Sequence, residues 1–335
     1  MINVGVIGYG YWGPNLVRNF VANPDCRVTI VCDRDSDRLG QVQALYPAVR
    51  LTVSAQELID DPEVDAVVIS TPVETHFPLA LAALEAGKHV LVEKPISSTA
   101  DQARRLIDEA GKRGLILMVD HTFVYTGAVR KLHELVRTDA FGPVRYYDST
   151  RVNLGLFQPD VNVLWDLAVH DLSIMDFILD SAPIAVSATG QSLIAGQPEY
   201  AAFLTVFFAN DVIAHINVNW LSPVKIRRTL VGGDRQMIVY DDLETSEKVK
   251  LYDKGVTVTP TPEQVHKLLI SYRTGDLWSP NLPATEALAV EAAHFAACIR
   301  GEETPITGGE AGLGIVRILE AADQSIRQRG APVEL

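Results

Sequence analysis

The run Val4-Gly5-Val6-Ile7-Gly8-Tyr9-Gly10-Tyr11-Trp12-Gly13 decides the fold. Its apolar start reads as a strand buried on both faces, and the glycines that end it fall in the pattern G-x-G-x-x-G at the mouth of an amphipathic run, Leu16–Val21. The first glycine permits a tight turn, the second lets backbone N–H groups approach a pyrophosphate, and the third lets helix and strand pack closely. The helix N-terminus adds partial positive charge. Gly8, Tyr9, Gly10, Tyr11, Trp12 and Gly13 are therefore candidate dinucleotide-binding residues. Asp33 ends the next apolar run, Val28–Cys32, where a carboxylate accepts hydrogen bonds from an adenosine ribose. It would also repel the extra phosphate of NADP, so NAD is expected in preference. Arg34 and Arg38 read as cations for adenine or phosphate; Arg38 reads equally as part of a solvated helix face.

Outward from this loop the same rhythm continues through Val64–Ser70, Pro78–Ala86, His89–Glu93, Ala100–Arg113 and Leu115–Val119. Apolar strands alternating with amphipathic helices predict an α/β Rossmann domain with a doubly wound parallel sheet over residues 1–122. Ligands of such sheets lie beyond the carboxyl ends of the strands, so Ser70-Thr71-Pro72 should line the nicotinamide half. His76, just after it, reads either as a ring beside the cofactor or as a capping or surface histidine. Glu93-Lys94-Pro95 closes another buried run, and the proline restricts Lys94 to extended backbone, which aims its amine in a defined direction.

Beyond about Tyr125 the pattern changes. A helix at Ala128–Val136 precedes strand-like runs at Val144–Arg151, Ile184–Gln191, Ala201–Ala209, Val212–Trp220, Thr229–Val231, Met237–Tyr240, Lys248–Tyr252 and Gly255–Thr259. Several connections are only a few residues long, which suits antiparallel neighbours. Residues 123–335 are thus expected to form a substrate-binding and oligomerisation domain, α+β with an open, mostly antiparallel sheet. Helical patterns at Thr285–Arg300 and Gly309–Arg329 fit packing on either sheet, including a return to the first domain.

Composition narrows the function. At 335 residues the chain suits two domains, and its 47% hydrophobic and 21% charged residues exclude a disordered protein. A net charge of −13 repels phosphate backbones, so nucleic acid is not expected as a partner. No apolar run approaches a membrane span and the first residues read as a strand, not as a signal peptide, so no membrane partner and a cytoplasmic location are expected. Cys26, Cys32 and Cys298 form no C-x-x-C pair, which supports neither a disulfide framework nor a metal site.

In the second half, Asp166 and His170 are spaced to share one face of a helix. The pair reads as a proton-handling site, because oxidising an alcohol by hydride transfer releases the hydroxyl proton and imidazole titrates near working pH. Spacing alone favours a structural pair. A metal site lacks a third ligand.

The glycine loop, Glu93-Lys94-Pro95 and Asp166-x-x-x-His170, in this order, resemble the Gfo/Idh/MocA oxidoreductase family over essentially the whole chain. The resemblance implies a Rossmann domain followed by an open-sheet domain, a tightly held nicotinamide dinucleotide, and hydride exchange at a sugar or cyclitol carbon. Lys94, Asp166 and His170 match the family's catalytic positions. The run Arg151-Val152-Asn153-Leu154-Gly155-Leu156-Phe157-Gln158, followed by Trp165-Asp166-Leu167, looks most like the branch acting on nucleotide-linked sugars, such as UDP-N-acetylglucosamine 3-dehydrogenases and dTDP-sugar 3-ketoreductases. A free-sugar or inositol dehydrogenase and a non-catalytic dinucleotide sensor are the alternatives. Lys94 and His170 are then expected to bind the reacting oxygen and take its proton, with Asp166 orienting the site. Arg151, Asn153, Gln158 and Trp165 are candidate substrate contacts, although Arg151, Asn153 and Gln158 read equally as a polar strand end and loop. In a chain of this charge, Arg151, Lys225, Arg227 or Arg228 must offset a sugar nucleotide's diphosphate. The run Val119-Asp120-His121 departs from many relatives, which carry a small residue before its final position, and His121 is kept as a possible cofactor or substrate neighbour. One free face of the second sheet leads us to expect a homodimer or homotetramer.

Overall fold

A computed structural model describes residues 1–155, 161–194, 196–258, 270–273 and 275–335. The chain folds as two compact units, residues 1–126 with 285–320 and residues 127–284 with 321–335. Residues 285–320, which sequence reasoning leaves free to pack on either sheet, thus belong to the first unit.

The first unit runs β1 (Ile2–Ile7), α1 (Gly13–Ala22), β2 (Cys26–Cys32), α2 (Ser36–Leu45), β3 (Arg50–Thr52), α3 (Ala55–Ile59), β4 (Ala66–Ile69), α4 (His76–Glu85), β5 (His89–Glu93), α5 (Ala100–Arg113) and β6 (Leu117–Asp120). Its six strands pair in parallel in the order β3-β2-β1-β4-β5-β6. Val4, Val6 and every residue of β4 are buried, as a sheet covered on both faces requires. Because all strands point one way, the segments that follow β1, β2, β4, β5 and β6 reach a common edge, and the order in which strands are added reverses between β1 and β4. That reversal opens the crevice in which such sheets bind ligands.

The second unit contains α6 (Gly127–Val136), β7 (Val144–Leu154), a π-helical turn over Leu164–Ala168, α7 (Val169–Ile178), β8 (Pro183–Gln191), β9 (Ala201–Phe208), β10 (Ile213–Asn219), β11 (Leu221–Gly233), β12 (Met237–Asp241), β13 (Val249–Tyr252), β14 (Gly255–Val258), β15 (Ile270–Arg273) and β16 (Leu277–Trp278). Then follow α8 (Ala287–Ile299), α9 (Gly309–Arg327) and β17 (Val333–Glu334). Nine strands form one sheet in the order β16-β13-β12-β11-β7-β10-β9-β8-β17. It is antiparallel except where β10 runs parallel to β7. The fold is therefore a Rossmann domain with a mostly antiparallel α/β partner. Along β9 and β10, Ala202, Leu204, Val206, Ala214, Ile216 and Val218 are buried, in the alternation of a sheet covered on one face.

Side chains explain why α8 joins the first unit. Phe295 packs edge-on to Phe20 of α1 at a 6.2 Å centroid distance, and Glu286 receives both guanidinium N–H groups of Arg18 at 2.7 and 2.8 Å. Further along, Thr307 bonds the buried Tyr125 hydroxyl at 3.0 Å. Among the described residues no helix is long and apolar enough to cross a membrane.

Candidate active site

The glycine loop fits a dinucleotide for reasons specific to each position. Gly8 has φ +100°, and a Cβ there would lie 2.2 Å from the Ser70 carbonyl oxygen. A Cβ on Gly13 would lie 2.3 Å from the Gly8 carbonyl. These two glycines lock the loop against itself and the turn after β4. Gly10 differs: a Cβ would meet only the tip of Arg38, at 3.5 Å, so that face is open to a close ligand. The helix behind is prepared for an anion. Asp35, Ser54 and Thr99 cap α2, α3 and α5 with side-chain oxygens, whereas α1 has no side-chain cap and no acid in its first turn.

Asp33 is buried at the end of β2; its carboxylate accepts the Tyr9 N–H at 2.6 Å and the Asp35 N–H at 2.9 Å. Two backbone donors hold the carboxylate beside the loop. Arg38 approaches it at 3.6 Å, which seats the guanidinium next to the Gly10 turn, while Arg34 is exposed. Tyr9 is buried and Tyr11 almost fully exposed. The Trp12 indole N–H donates to Asp120 Oδ2 at 2.8 Å, tying the loop to the end of β6.

The turns after β4 and β5 are joined through one ring. His76 is buried, with Nδ1 2.8 Å from the Pro95 carbonyl and Nε2 2.7 Å from the Thr71 carbonyl. It therefore braces Ser70-Thr71-Pro72 against Glu93-Lys94-Pro95. Burial lowers its pKa, with the two carbonyls opposing. The Lys94–Pro95 peptide is cis, and the Lys94 N–H donates to Glu93 Oε2 at 2.8 Å. His121 is buried, and neither ring nitrogen has a hydrogen-bond partner. Burial, then the Lys94 charge, pushes its pKa down to about 3, so the ring is neutral.

In the second unit, Asp166 lies in the π-helical turn and His170 in the first turn of α7. Such a turn is a frequent companion of functional sites. Trp220 donates its indole N–H to Asp166 Oδ2 at 3.1 Å, and Gly155 makes room for that indole, since a Cβ would sit 2.3 Å from Trp220 Cδ1. Arg151 is buried with its guanidinium on Asp171, Nε to Oδ2 at 2.7 Å and Nη2 to Oδ1 at 3.4 Å. Ser149 also donates to Asp171, at 2.6 Å, so β7 holds the start of α7 at the residue beside His170. Trp165 gives its indole N–H to Asp323 at 2.8 Å, and Asn153 is partly exposed on β7. Gln158, with Leu156 and Phe157, lies outside the described residues.

Sequence reasoning did not single out Asp120, Asp171, Trp220 or Glu291. Two had a signal: Asp120 ends β6 as Glu93 ends β5, and Glu291 is the one charged residue in α8. The two tryptophan and aspartate partners are set by tertiary packing and had none.

A buried parallel sheet with a fitted glycine loop and an acid closing β2 defines a dinucleotide-dependent oxidoreductase. The chain belongs to the Gfo/Idh/MocA oxidoreductase family: residues 2–121 match its NAD-binding Rossmann fold and residues 133–335 its C-terminal alpha/beta domain. It is 27% identical over 335 residues to UDP-N-acetylglucosamine 3-dehydrogenase of Acidithiobacillus ferrooxidans, covering 96% of each chain. That enzyme's solved structure superposes with a TM-score of 0.82 at 24% identity, covering 98% of both chains. Inositol 2-dehydrogenase 2 of Saccharopolyspora erythraea is 30% identical over 241 residues, 69% of this chain and 71% of that one. The structure of GenD2 from gentamicin A biosynthesis, in complex with NAD, gives a TM-score of 0.83 at 24% identity, covering 100% of this chain and 96% of that one.

Proposed function

We propose that the chain is an NAD-dependent oxidoreductase of a sugar carbon, with C3 of a nucleotide-linked sugar as the preferred target. The observation that carries the coenzyme half is the fitted loop: Gly8 and Gly13 closed by backbone, Gly10 open, and Asp33 held buried beside them. The nucleotide-sugar half is supported by likeness to a UDP-N-acetylglucosamine 3-dehydrogenase along nearly the whole chain. When bound at Gly8, Gly10, Gly13 and Asp33, NAD would supply the hydride acceptor or donor. Lys94 binds the reacting oxygen, His170 exchanges its proton, and Asp166 orients the site. With Arg151 bound to Asp171 and Arg227 to Asp242, the exposed Lys225 and Arg228 are the candidate cations for a diphosphate. The second reading, a free-sugar or inositol dehydrogenase, is favoured by the inositol 2-dehydrogenase relative. We further propose association of a second copy through the exposed sheet face carrying Tyr146, Phe203 and Ile213, and a cytoplasmic site of action.

The test follows absorbance at 340 nm with NAD and NADH across UDP- and dTDP-sugars, free sugars and inositols. Turnover highest on a nucleotide sugar supports the first reading and highest on inositol the second. No turnover on any substrate despite dinucleotide binding would identify a sensor.

A further inference from the structure

Three acidic side chains from three elements meet at the carboxyl edge of the parallel sheet. Glu93 and Asp120 are register partners on β5 and β6, neighbouring strands that lie about 4.8 Å apart. Glu291 arrives from α8. Asp120 and Glu291 are 2% and 1% exposed, and Glu93 keeps a partial opening. Asp120 is well supplied with donors, the Trp12 indole on one oxygen and the Thr122 hydroxyl on the other. Glu291 is not: neither of its oxygens has a hydrogen bond of good geometry, and what adjoins it is Asp120 and, opposing more weakly, the His121 backbone, with Glu93 acting from further off.

Two carboxylates cannot bond to each other without a proton between them. A carboxylate left charged and unpaired in the interior costs several kcal/mol, and taking up a proton relieves that cost. The other groups around the cluster do not supply a counter-charge to Glu291. His121 is neutral, and Lys94 acts on Glu93 and His121. On α8 itself, His294 is bonded to Glu303, and the N-capping Glu286 is paired with Arg18.

We propose that Glu291 is a positioning residue of the coenzyme site: it shares a proton with Asp120, and that proton keeps Asp120 on the Trp12 indole of the glycine loop and Glu93 on the Lys94 backbone. Burial, then the Asp120 and Glu93 charges, raises Glu291 well above the usual carboxyl range; burial, then Asp120, does the same for Glu93. The coupling to coenzyme rests on the NAD-binding reading above.

The sign sets the experiment. A carboxyl with a raised folded pKa costs nothing below its unfolded value of about 4.3 and costs more stability as pH climbs toward the folded one. Glu291→Gln keeps a donor and has no charge to suppress. Without added coenzyme, its Tm relative to wild type should rise steadily as pH climbs above about 4.3. NAD affinity of the wild type, by calorimetry, should fall up to about tenfold per pH unit on the alkaline side, one linked proton, while that of Glu291→Gln falls less. Glu291→Ala, lacking both proton and donor, is expected to lose stability throughout. In wild type, the infrared C=O stretch of a protonated carboxylic acid should persist above the usual carboxyl range and lose intensity in Glu291→Gln. A pH-independent Tm difference, equal alkaline slopes in NAD affinity, or absence of that stretch overturns the proposal. If neither protein binds NAD, the coenzyme reading and the positioning role fail, while melting and infrared data still decide whether the proton is shared.

Discussion

In the proposed reaction Lys94 carries the most chemistry of any single residue, and its backbone is fixed from two directions. Its N–H is bonded to Glu93, and the carbonyl of the following Pro95 is bonded by the His76 ring. A side chain rooted this firmly is oriented before substrate arrives, which is where positioning energy comes from. None of the glycine-loop bonds involves the Lys94 amine. Lys94→Ala should therefore lower kcat by about 10²–10⁴-fold, the usual contribution of a proton-handling group, and leave the NAD dissociation constant within about threefold. Steady-state kinetics alongside calorimetric titration with NAD checks both halves. Unchanged turnover would remove Lys94 from the mechanism.

At the scale of elements, the start of α7 is anchored to β7 by the buried ion pair of Arg151 with Asp171. Removing one partner of such a pair strands the other charge and costs about 3–5 kcal/mol, whereas replacing both with apolar residues is close to neutral. Arg151→Met should destabilise the protein by that amount, and adding Asp171→Leu should recover much of it, in denaturant unfolding. A restored fold without restored turnover would show that the pair serves to aim His170; restoration of both would reduce it to packing. The sequence made the apolar strands and the loops that end them readable, since Val4–Ile7, Val28–Cys32, Ala66–Ile69 and Val90–Val92 are apolar runs broken only by Gly5 and Thr29. It missed β3 and α3 and reached α2 only as a solvated helix face around Arg38. Only Leu39 and Val42 are buried in α2 and only Thr52 in β3, so neither carries a periodicity to read. It also read antiparallel neighbours from short connections, a rule that does not reach β7 and β10, whose pairing is parallel and far apart in the chain. Arg151 shows the limit at a site: its type and position suit a phosphate, but its partner Asp171 is a matter of packing between a strand and a helix.

For the molecule as a whole, buried titratable groups pull stability in opposite directions with pH. His121 has a depressed pKa, so its contribution is intact above the unfolded value of about 6.5 and is lost as pH falls toward the folded value of about 3. His76, lowered by burial, acts with the same sign. Glu286, held down to about 2 by Arg18 and Asn19, joins them only below about pH 4.3. Glu93 and Glu291, raised by burial, erode stability as pH rises above about 4.3. The slopes cross between these limits, so Tm should peak at about pH 5–6.5, below neutrality. The two sides can be removed separately. His121→Leu takes away an acid-side loss and should move the peak to lower pH, while Glu291→Gln takes away an alkaline-side loss and should move it higher. Thermal melts of the three proteins across one buffer series measure this directly, and displacement of both variants in the same direction would break the assignment of these groups to opposite sides of the profile.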